Sequence, residues 1–260
     1  MEASVKAIYR YPVKGLSPEK LERVELQVGG CLPHDRRFAI ALGTTEFDPK
    51  APCWLQKTHF IMLMRDESLA RLTTHFDPAT GMLRVAARGE TLLQASLQEP
   101  EGCRRIAGFF DEFMAGAVPG PLRVVEAEGH AFADAPPKPN ASTGKYVSLI
   151  NLNSIRDFEE KIGAPVEPLR FRANVYFDGP PAWQEQQWIE RELTVGSTRL
   201  RVIAPITRCA ATEVNPATTE RDIPIVRELL RHYEHNLMGI YAEVIGAGAI
   251  AAGDGVSGPQ

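Results

Sequence analysis

The segment ITRCAATEVNP, residues 206 to 216, sets Cys209 behind a threonine–arginine pair and ahead of small and polar residues. A cation beside a thiol favours the thiolate, the form of cysteine that attacks electrophiles and binds metals. Three roles fit these residues: a nucleophile, a metal ligand, or a small buried apolar side chain, since free cysteine is among the most buried residue types. Basic residues recur where an anion could be met. Lys14 in RYPVKGLSPEK follows a strand-like run and precedes a Gly-Leu-Ser-Pro loop. Arg36 and Arg37 in CLPHDRRFAI stand behind Asp35; a carboxylate that orients a guanidinium makes a structural pair and also prepares bidentate phosphate recognition. In RFRANVYFDG, Arg170, Arg172 and Asn174 fall at period two, which puts them on one face of a predicted strand, toward water or toward a ligand. His34 reads as a solvated or packed ring rather than a catalytic base.

Other chemistries find no support. The four cysteines, Cys31, Cys53, Cys103 and Cys209, are dispersed with no CxxC pair, against a zinc ribbon or a clustered iron–sulfur motif. The six histidines are scattered and no HExxH occurs, so a metal site assembled from several side chains is not expected. GAGAIAAGDG near the end lacks the GxGxxG spacing and a Lys-Ser/Thr pair, and reads as turns and a bulge in a terminal strand. At 260 residues, 44% hydrophobic and 24% charged, the chain has an ordinary soluble composition. A net charge of -4 gives no general attraction to nucleic acid or an anionic membrane, so any anion site must be built locally. Apolar runs such as FIMLM at 60 to 64 are too short to cross a bilayer, and MEASVKAIYR lacks the apolar core of an export signal. A cytoplasmic protein with reduced thiols, and with no nucleic-acid or membrane partner, is the expectation.

The elements that must carry these residues are mostly strands. In LERVELQV, Val24, Leu26 and Val28 alternate with polar residues, the period of a half-buried strand. MLRVAA and TLLQASL predict a hairpin turning at Gly89, and SVKAIYRYPVK, RRFAIAL and PLRVVEAEG predict further strands. Ile106, Phe109, Phe110, Phe113 and Met114 mark one face of a helix over 101 to 116. Residues 131 to 144, rich in Pro, Ala and small polar residues, read as a linker or long loop. Beyond it, SIRDFEEKIG predicts a short helix with Ser154 and Asp157 spaced as a capping box and Gly163 as its stop. RFRANVYFDG predicts a strand, ELTVGSTRLRVI a hairpin near Gly196-Ser197, RDIPIVRELLRHYE a helix, and YAEVIGAGAI a strand broken by Gly246 and Gly248. The fold class expected is mainly β with some α (α+β), in two β-rich, barrel-like domains. Their boundary falls near residues 125 to 140, giving domains of 1–125 and 126–260.

Taken together, RYPVKGLSPEKLERVEL and CLPHDRRFAI, then LRFRANVYFDGPPAWQEQQW, ELTVGSTRLRVIAPITRCAATEVNP and YAEVIGAGAIAAGD, resemble the MOSC family. That family is named after the C-terminal domain of molybdenum cofactor sulfurases, and the first two segments are similar to the β-barrel domain that accompanies it. The layout is similar to bacterial two-domain members and to mitochondrial amidoxime-reducing components. The resemblance implies that Cys209 is the protein ligand of a molybdenum ion held by a pterin dithiolene, the molybdenum-pterin cofactor (Moco). It implies that Lys14, Arg36, Arg172 and Asn174 grip the pterin and its phosphate. Asn151 and Ser154 in SLINLNS are weaker cofactor-facing candidates, and Thr207 and Arg208, which flank the thiolate, are candidates for cofactor contact. Cys31, Cys53 and Cys103 have no matching role and are expected to pack. The chain departs from the family pattern at Gly15 (often Ser), Ala173 (commonly Pro) and Asn215 (usually Asp).

What the resemblance implies is an oxidoreductase that reduces a small N-hydroxylated substrate, such as a hydroxylamine or amidoxime, with electrons from an external donor protein. The alternatives are a sulfur carrier or sulfurtransferase holding a persulfide on Cys209, and a Moco-binding protein without turnover. No segment resembles the pyridoxal phosphate domain of fused sulfurases.

Overall fold

The computed structural model describes residues 3–259. Strands β1 (Ser4–Arg10), β2 (Glu19–Leu21) and β3 (Arg23–Leu26) open the chain. Strands β4 (Phe38–Ala41), β5 (Thr73–Asp77), β6 (Met82–Ala87) and β7 (Glu90–Ser96) lead to helix α1 (Pro100–Met114) and β8 (Arg123–Glu126). β9 (Val147–Asn151) runs directly into α2 (Leu152–Ile162), followed by β10 (Val175–Asp178), β11 (Glu192–Val195) and β12 (Thr198–Thr207). Helix α3 (Ile225–Tyr233), β13 (Leu237–Gly246), β14 (Gly248–Ala251) and β15 (Val256–Ser257) complete it. The chain is therefore α+β and strand-rich. Among the described residues no helix is long and apolar enough to cross a membrane.

The chain divides into two compact units: Met1–Arg10, Lys20–Pro33 and Pro137–Gln260 form one, Tyr11–Glu19 and His34–Pro136 the other. The first holds an eight-stranded sheet in the order β15-β11-β12-β13-β9-β10-β1-β2, with β3 and β14 as a separate antiparallel pair. Both faces of its central strands are covered. Leu149, Val175, Phe177 and Ile240 point into one core, while Ile150 and Tyr176 point into a second with Ile155 and Phe158 of α2 and Leu229 of α3. Burial on both sides is why β9 reads VSLIN, all five residues buried, and not as an alternating strand. In the other unit β5-β6-β7 form an antiparallel meander and β4 pairs with β8. The predicted hairpin is β6–β7 with Gly89 at φ 84°, and α1 buries Ile106, Phe110 and Met114 as its periodicity requires.

Four local expectations are overturned. Arg170, Arg172 and Asn174 do not share a strand face, because Pro168–Phe171 form a 3-10 turn and the strand starts only at Val175. Pro168 at the first helical position, with the Glu167 side chain accepting from Leu169 N, begins this turn, and Arg172 ends it in the left-handed region at φ 51°. α2 is capped by Asn151, whose side chain accepts from Asn153 N, while Ser154 lies buried inside the helix. Asp157 accepts from Trp183 Nε1 and Tyr233 Oη in place of a capping role, and Gly163 ends the helix at φ 67°. Val28 lies beyond the end of β3 and is 63% exposed. Cys53 is exposed and does not pack.

Asn174 joins three strands. Its Oδ1 accepts from the Ser148 backbone N and hydroxyl at 3.1 and 2.8 Å, and its Nδ2 donates to Tyr9 O at 3.1 Å. Its own backbone donates to Ser148 O and accepts from Tyr9 N. The side chain thus completes β1 and β9 at the head of β10. Replacing it strands a buried amide and a buried carbonyl, so Asn174→Ala should destabilise the fold by about 2–4 kcal/mol in urea unfolding, and a loss under about 0.5 kcal/mol would contradict this role.

Candidate functional site

Cys209 sits where β12 ends, with extended backbone (φ -130°, ψ 172°), and caps a 3-10 turn over Ala210–Glu213. Both the backbone N and the hydroxyl of Thr212 donate to its carbonyl, at 3.0 and 2.9 Å. The preceding residue is clamped across the sheet: Arg208 N donates to Asn236 O at 2.8 Å, and Asn236 Nδ2 returns to Arg208 O at 3.1 Å. The Arg208 side chain is buried and points away from a ligand role. Its Nε donates to Met238 O at 2.8 Å and its Nη1 to Phe171 O at 2.8 Å, with the guanidinium over the Phe171 ring. Thr207 is exposed and Cys209 half-buried, so these two side chains are presentable where Arg208 is not. A side chain at 239 would strike Leu149 O at 2.5 Å and approach Arg208 Nη2, which with φ 78° explains glycine beside the clamp.

The segment after Cys209 is held from behind by two more arginines. Arg170, buried, donates to Glu213 O at 3.0 Å and to both oxygens of Asp222 at 2.6 and 2.7 Å. Arg221 Nη1 donates to Ala210 O at 2.8 Å. Asn215 Nδ2 donates to Asp222 at 2.7 Å, so the amide suits this position where an aspartate would oppose a second carboxylate. Burial works against the Asp222 charge, but Asn215 and Arg170 more than offset it and hold the carboxyl below its usual range. Ala173 N donates to Tyr176 Oη at 3.0 Å, a bond that a proline at 173 could not make.

The predicted residues separate by what their polar atoms do. Asn151 and Ser154 are wholly buried and spent on the fold: Asn151 Nδ2 donates to Pro181 O, and Ser154 Oγ donates to Glu185 at 2.7 Å. Asn174 and Arg208 are committed in the same way. Arg172 is half-buried, and the bond from Arg208 to Phe171 O ties the residue before Arg172 to the residue before Cys209. The structure therefore brings Arg172 and Cys209 into one neighbourhood of the first unit.

Lys14 and Arg36 belong to the second unit. Lys14 is buried, donating to Phe132 O at 3.0 Å and pairing with Asp134. Arg36 pairs with Asp35 at 2.5 Å and stacks over Tyr11, 4.4 Å from its ring centre, while Asp35 also accepts from Tyr11 N at 2.7 Å. Phe132 N donates to Arg36 O, so one short segment contacts both cations. Gly15, next to Lys14, has φ 81°, a conformation that strains serine. The pairings of Lys14 with Asp134 and of Asp222 with Arg170 carry no sequence signal of their own, since the partners are 120 and 52 residues apart.

Among the described residues no group of three or more His, Cys, Asp or Glu could hold a metal ion. A single half-exposed thiol is a poor closed metal site but a suitable soft donor to a metal that brings its other ligands. The Lys14–Arg36 cluster has the donors for an anion. Each unit by itself therefore fits one part of a metal–dithiolene cofactor bearing a phosphate: a soft donor in the first, cations in the second.

Two family models match the chain: the MOSC N-terminal beta barrel domain over residues 2–116 and the MOSC domain over residues 131–257. The chain is similar to molybdenum cofactor sulfurase from Bos taurus, 28% identical over 106 residues, which is 36% of this chain and 12% of that protein. The same protein from Drosophila pseudoobscura pseudoobscura is 36% identical over 75 residues, 28% of this chain and 9% of the relative. The match thus spans 12% or less of the length of these relatives. Solved structures similar to it include the YuaD protein from Bacillus subtilis, with 14% identity, 98% of this chain and 94% of that one covered, and a TM-score of 0.45. YiiM from Geobacillus stearothermophilus has 17% identity, 44% and 54% coverage, and a TM-score of 0.35. With one model matching each end of the sequence, the chain belongs to the MOSC family, an N-terminal MOSC β-barrel domain followed by a MOSC domain.

Proposed function

We propose that this protein is a Moco-dependent oxidoreductase that reduces small N-hydroxylated compounds, with Cys209 as the protein ligand of molybdenum. The observation that carries the reading is the half-buried Cys209, set at a strand end directly after a residue clamped by Asn236, Met238 and Phe171. Kinship with proteins named molybdenum cofactor sulfurase supports a link to this cofactor. When bound, the cofactor supplies two-electron redox chemistry. The chain contributes the rest. The Arg208 clamp holds the backbone that carries Cys209, while Arg172 and Thr207 are the polar side chains that would meet a ligand. Lys14 and Arg36, in the second unit, are the cations that the family resemblance assigns to the phosphate. The overall reaction breaks the N–O bond of the substrate, taking two electrons and two protons and releasing the amine and water. Electrons come from a donor protein.

The relatives' name favours one second reading, in which Cys209 carries a persulfide for transfer to a metal–sulfur centre. Protein made in a molybdenum-competent host separates the two. The oxidoreductase reading expects about one molybdenum per chain with a pterin, and the carrier expects metal-free protein with cyanide-releasable sulfur on Cys209. Cys209→Ser should abolish turnover with the apo fold within about 0.5 kcal/mol of wild type, because oxygen is a harder donor and the half-buried side chain makes no capping hydrogen bond. Full reduction of an N-hydroxylated substrate by that variant would remove Cys209 from the mechanism.

The electron source gives an independent prediction. The sequence has no GxGxxG fingerprint after a strand and no cysteine cluster to relay single electrons. Reduced dye should support reduction of a hydroxylamine by the purified chain, while NADH alone should not. Steady NADH oxidation coupled to substrate would contradict the need for a donor protein.

A further inference from the structure

The second unit holds a carboxylate where an anionic ligand is expected. Asp134 pairs with Lys14, yet the two side chains differ sharply in access to water: 5% exposed for Lys14 and 54% for Asp134. Lys57 and Arg36 lie close enough for their charges to act on both partners. Arg36 is matched by Asp35, which leaves Lys14 paired with Asp134 and Lys57 as a further charge acting on that pair.

The backbone that leads to this carboxylate is fixed. Phe132 N donates to Arg36 O at 2.8 Å, Phe132 O accepts from Lys14, and Trp54 Nε1 donates to Ala133 O at 3.2 Å. The Phe132 ring packs in a core with Phe60 and Phe47. The Asp134 side chain, already half in solvent, can leave by rotating about its own χ angles with no backbone rearrangement. Lys14, buried and tied to Phe132 O, stays.

We propose that Asp134 is an internal stand-in for a phosphate, its carboxylate filling a site made by Lys14, Lys57 and Arg36 until a phosphate-bearing ligand displaces it. Lys57 thereby joins the anion site, and Asp134 is a competitor rather than a contact. A phosphate dianion carries more charge and more acceptor oxygens than a carboxylate, so it satisfies the cations better once it arrives. In the empty chain Asp134 spares Lys14 the cost of a buried unpaired charge. The phosphate-bearing ligand is the cofactor if the reading of Lys14 and Arg36 above holds.

The test uses the cofactor-free full chain and inorganic phosphate, with chloride at matched ionic strength as the control. Asp134→Asn should melt below wild type in chloride yet bind phosphate about tenfold more tightly, seen by calorimetric titration and a larger phosphate-induced rise in Tm. A partner that is only structural would lower stability without tightening phosphate, and that result overturns the proposal. Lys57→Gln, which leaves the Lys14–Asp134 pair in place, should weaken phosphate binding severalfold; unchanged affinity also overturns it. This second variant decides the matter if Asp134→Asn does not fold. Molybdenum content plays no part in these measurements, so the cofactor reading and the stand-in can each fail alone.

Discussion

A buried guanidinium that bonds to backbone carbonyls holds the candidate site together. Arg208 spends its side chain on Met238 O and Phe171 O, and its backbone on Asn236. These bonds join the end of β12, the start of β13 and the turn before Arg172. Each charge-assisted bond to a buried acceptor is worth about 1.5–3 kcal/mol, so the three segments move as one body. Lysine could not replace it, because a point donor on a flexible stem cannot reach two carbonyls in fixed directions. The arginine that precedes the thiol makes its neighbour rigid instead of reaching for a ligand. Cys209, half-buried, inherits a fixed backbone from that arrangement.

The cations that could meet an anion are not bare. Lys14 has Asp134, Arg36 has Asp35 and Arg170 has Asp222. Burying a charge without a partner costs several kcal/mol, so a chain that binds its anionic ligand only part of the time must supply substitutes. Asp35 and Asp222 are tied into the fold by further bonds, to Tyr11 N and from Asn215. Asp222 is also the more exposed member of its pair, at 35% against 1% for Arg170, so exposure alone does not separate them; what sets Asp134 apart is that, among the described residues, Lys14 is its one bonding partner.

Much of the fold is legible in the sequence because its signals are local. The β6–β7 hairpin announces itself through Gly89, α1 through its 3.6-residue period, and the end of α2 through Gly163. The site is less legible. Arg170, Arg172 and Asn174 show a strand's period in polarity, but Pro168 and the Glu167 side chain impose a helical turn first, and each residue then faces a different way. Asn151 and Ser154 read as cofactor-facing until the buried Glu185 is seen to need them; burial pushes its carboxyl up, and their donors work against that. Asp134 reads as part of a loop, since nothing local reveals a partner at Lys14. Long-range electrostatics leave no periodicity to read. The three departures from the family pattern, at Gly15, Ala173 and Asn215, find physical reasons only once φ angles and hydrogen bonds are known.

The central claim is that the Cys209 sulfur binds molybdenum. X-ray absorption at the molybdenum edge, on protein loaded with cofactor, measures this directly by counting sulfur neighbours of the metal. The account predicts one sulfur neighbour fewer in Cys209→Ser than in wild type, with the pterin sulfurs retained. An identical sulfur shell in both proteins would contradict it.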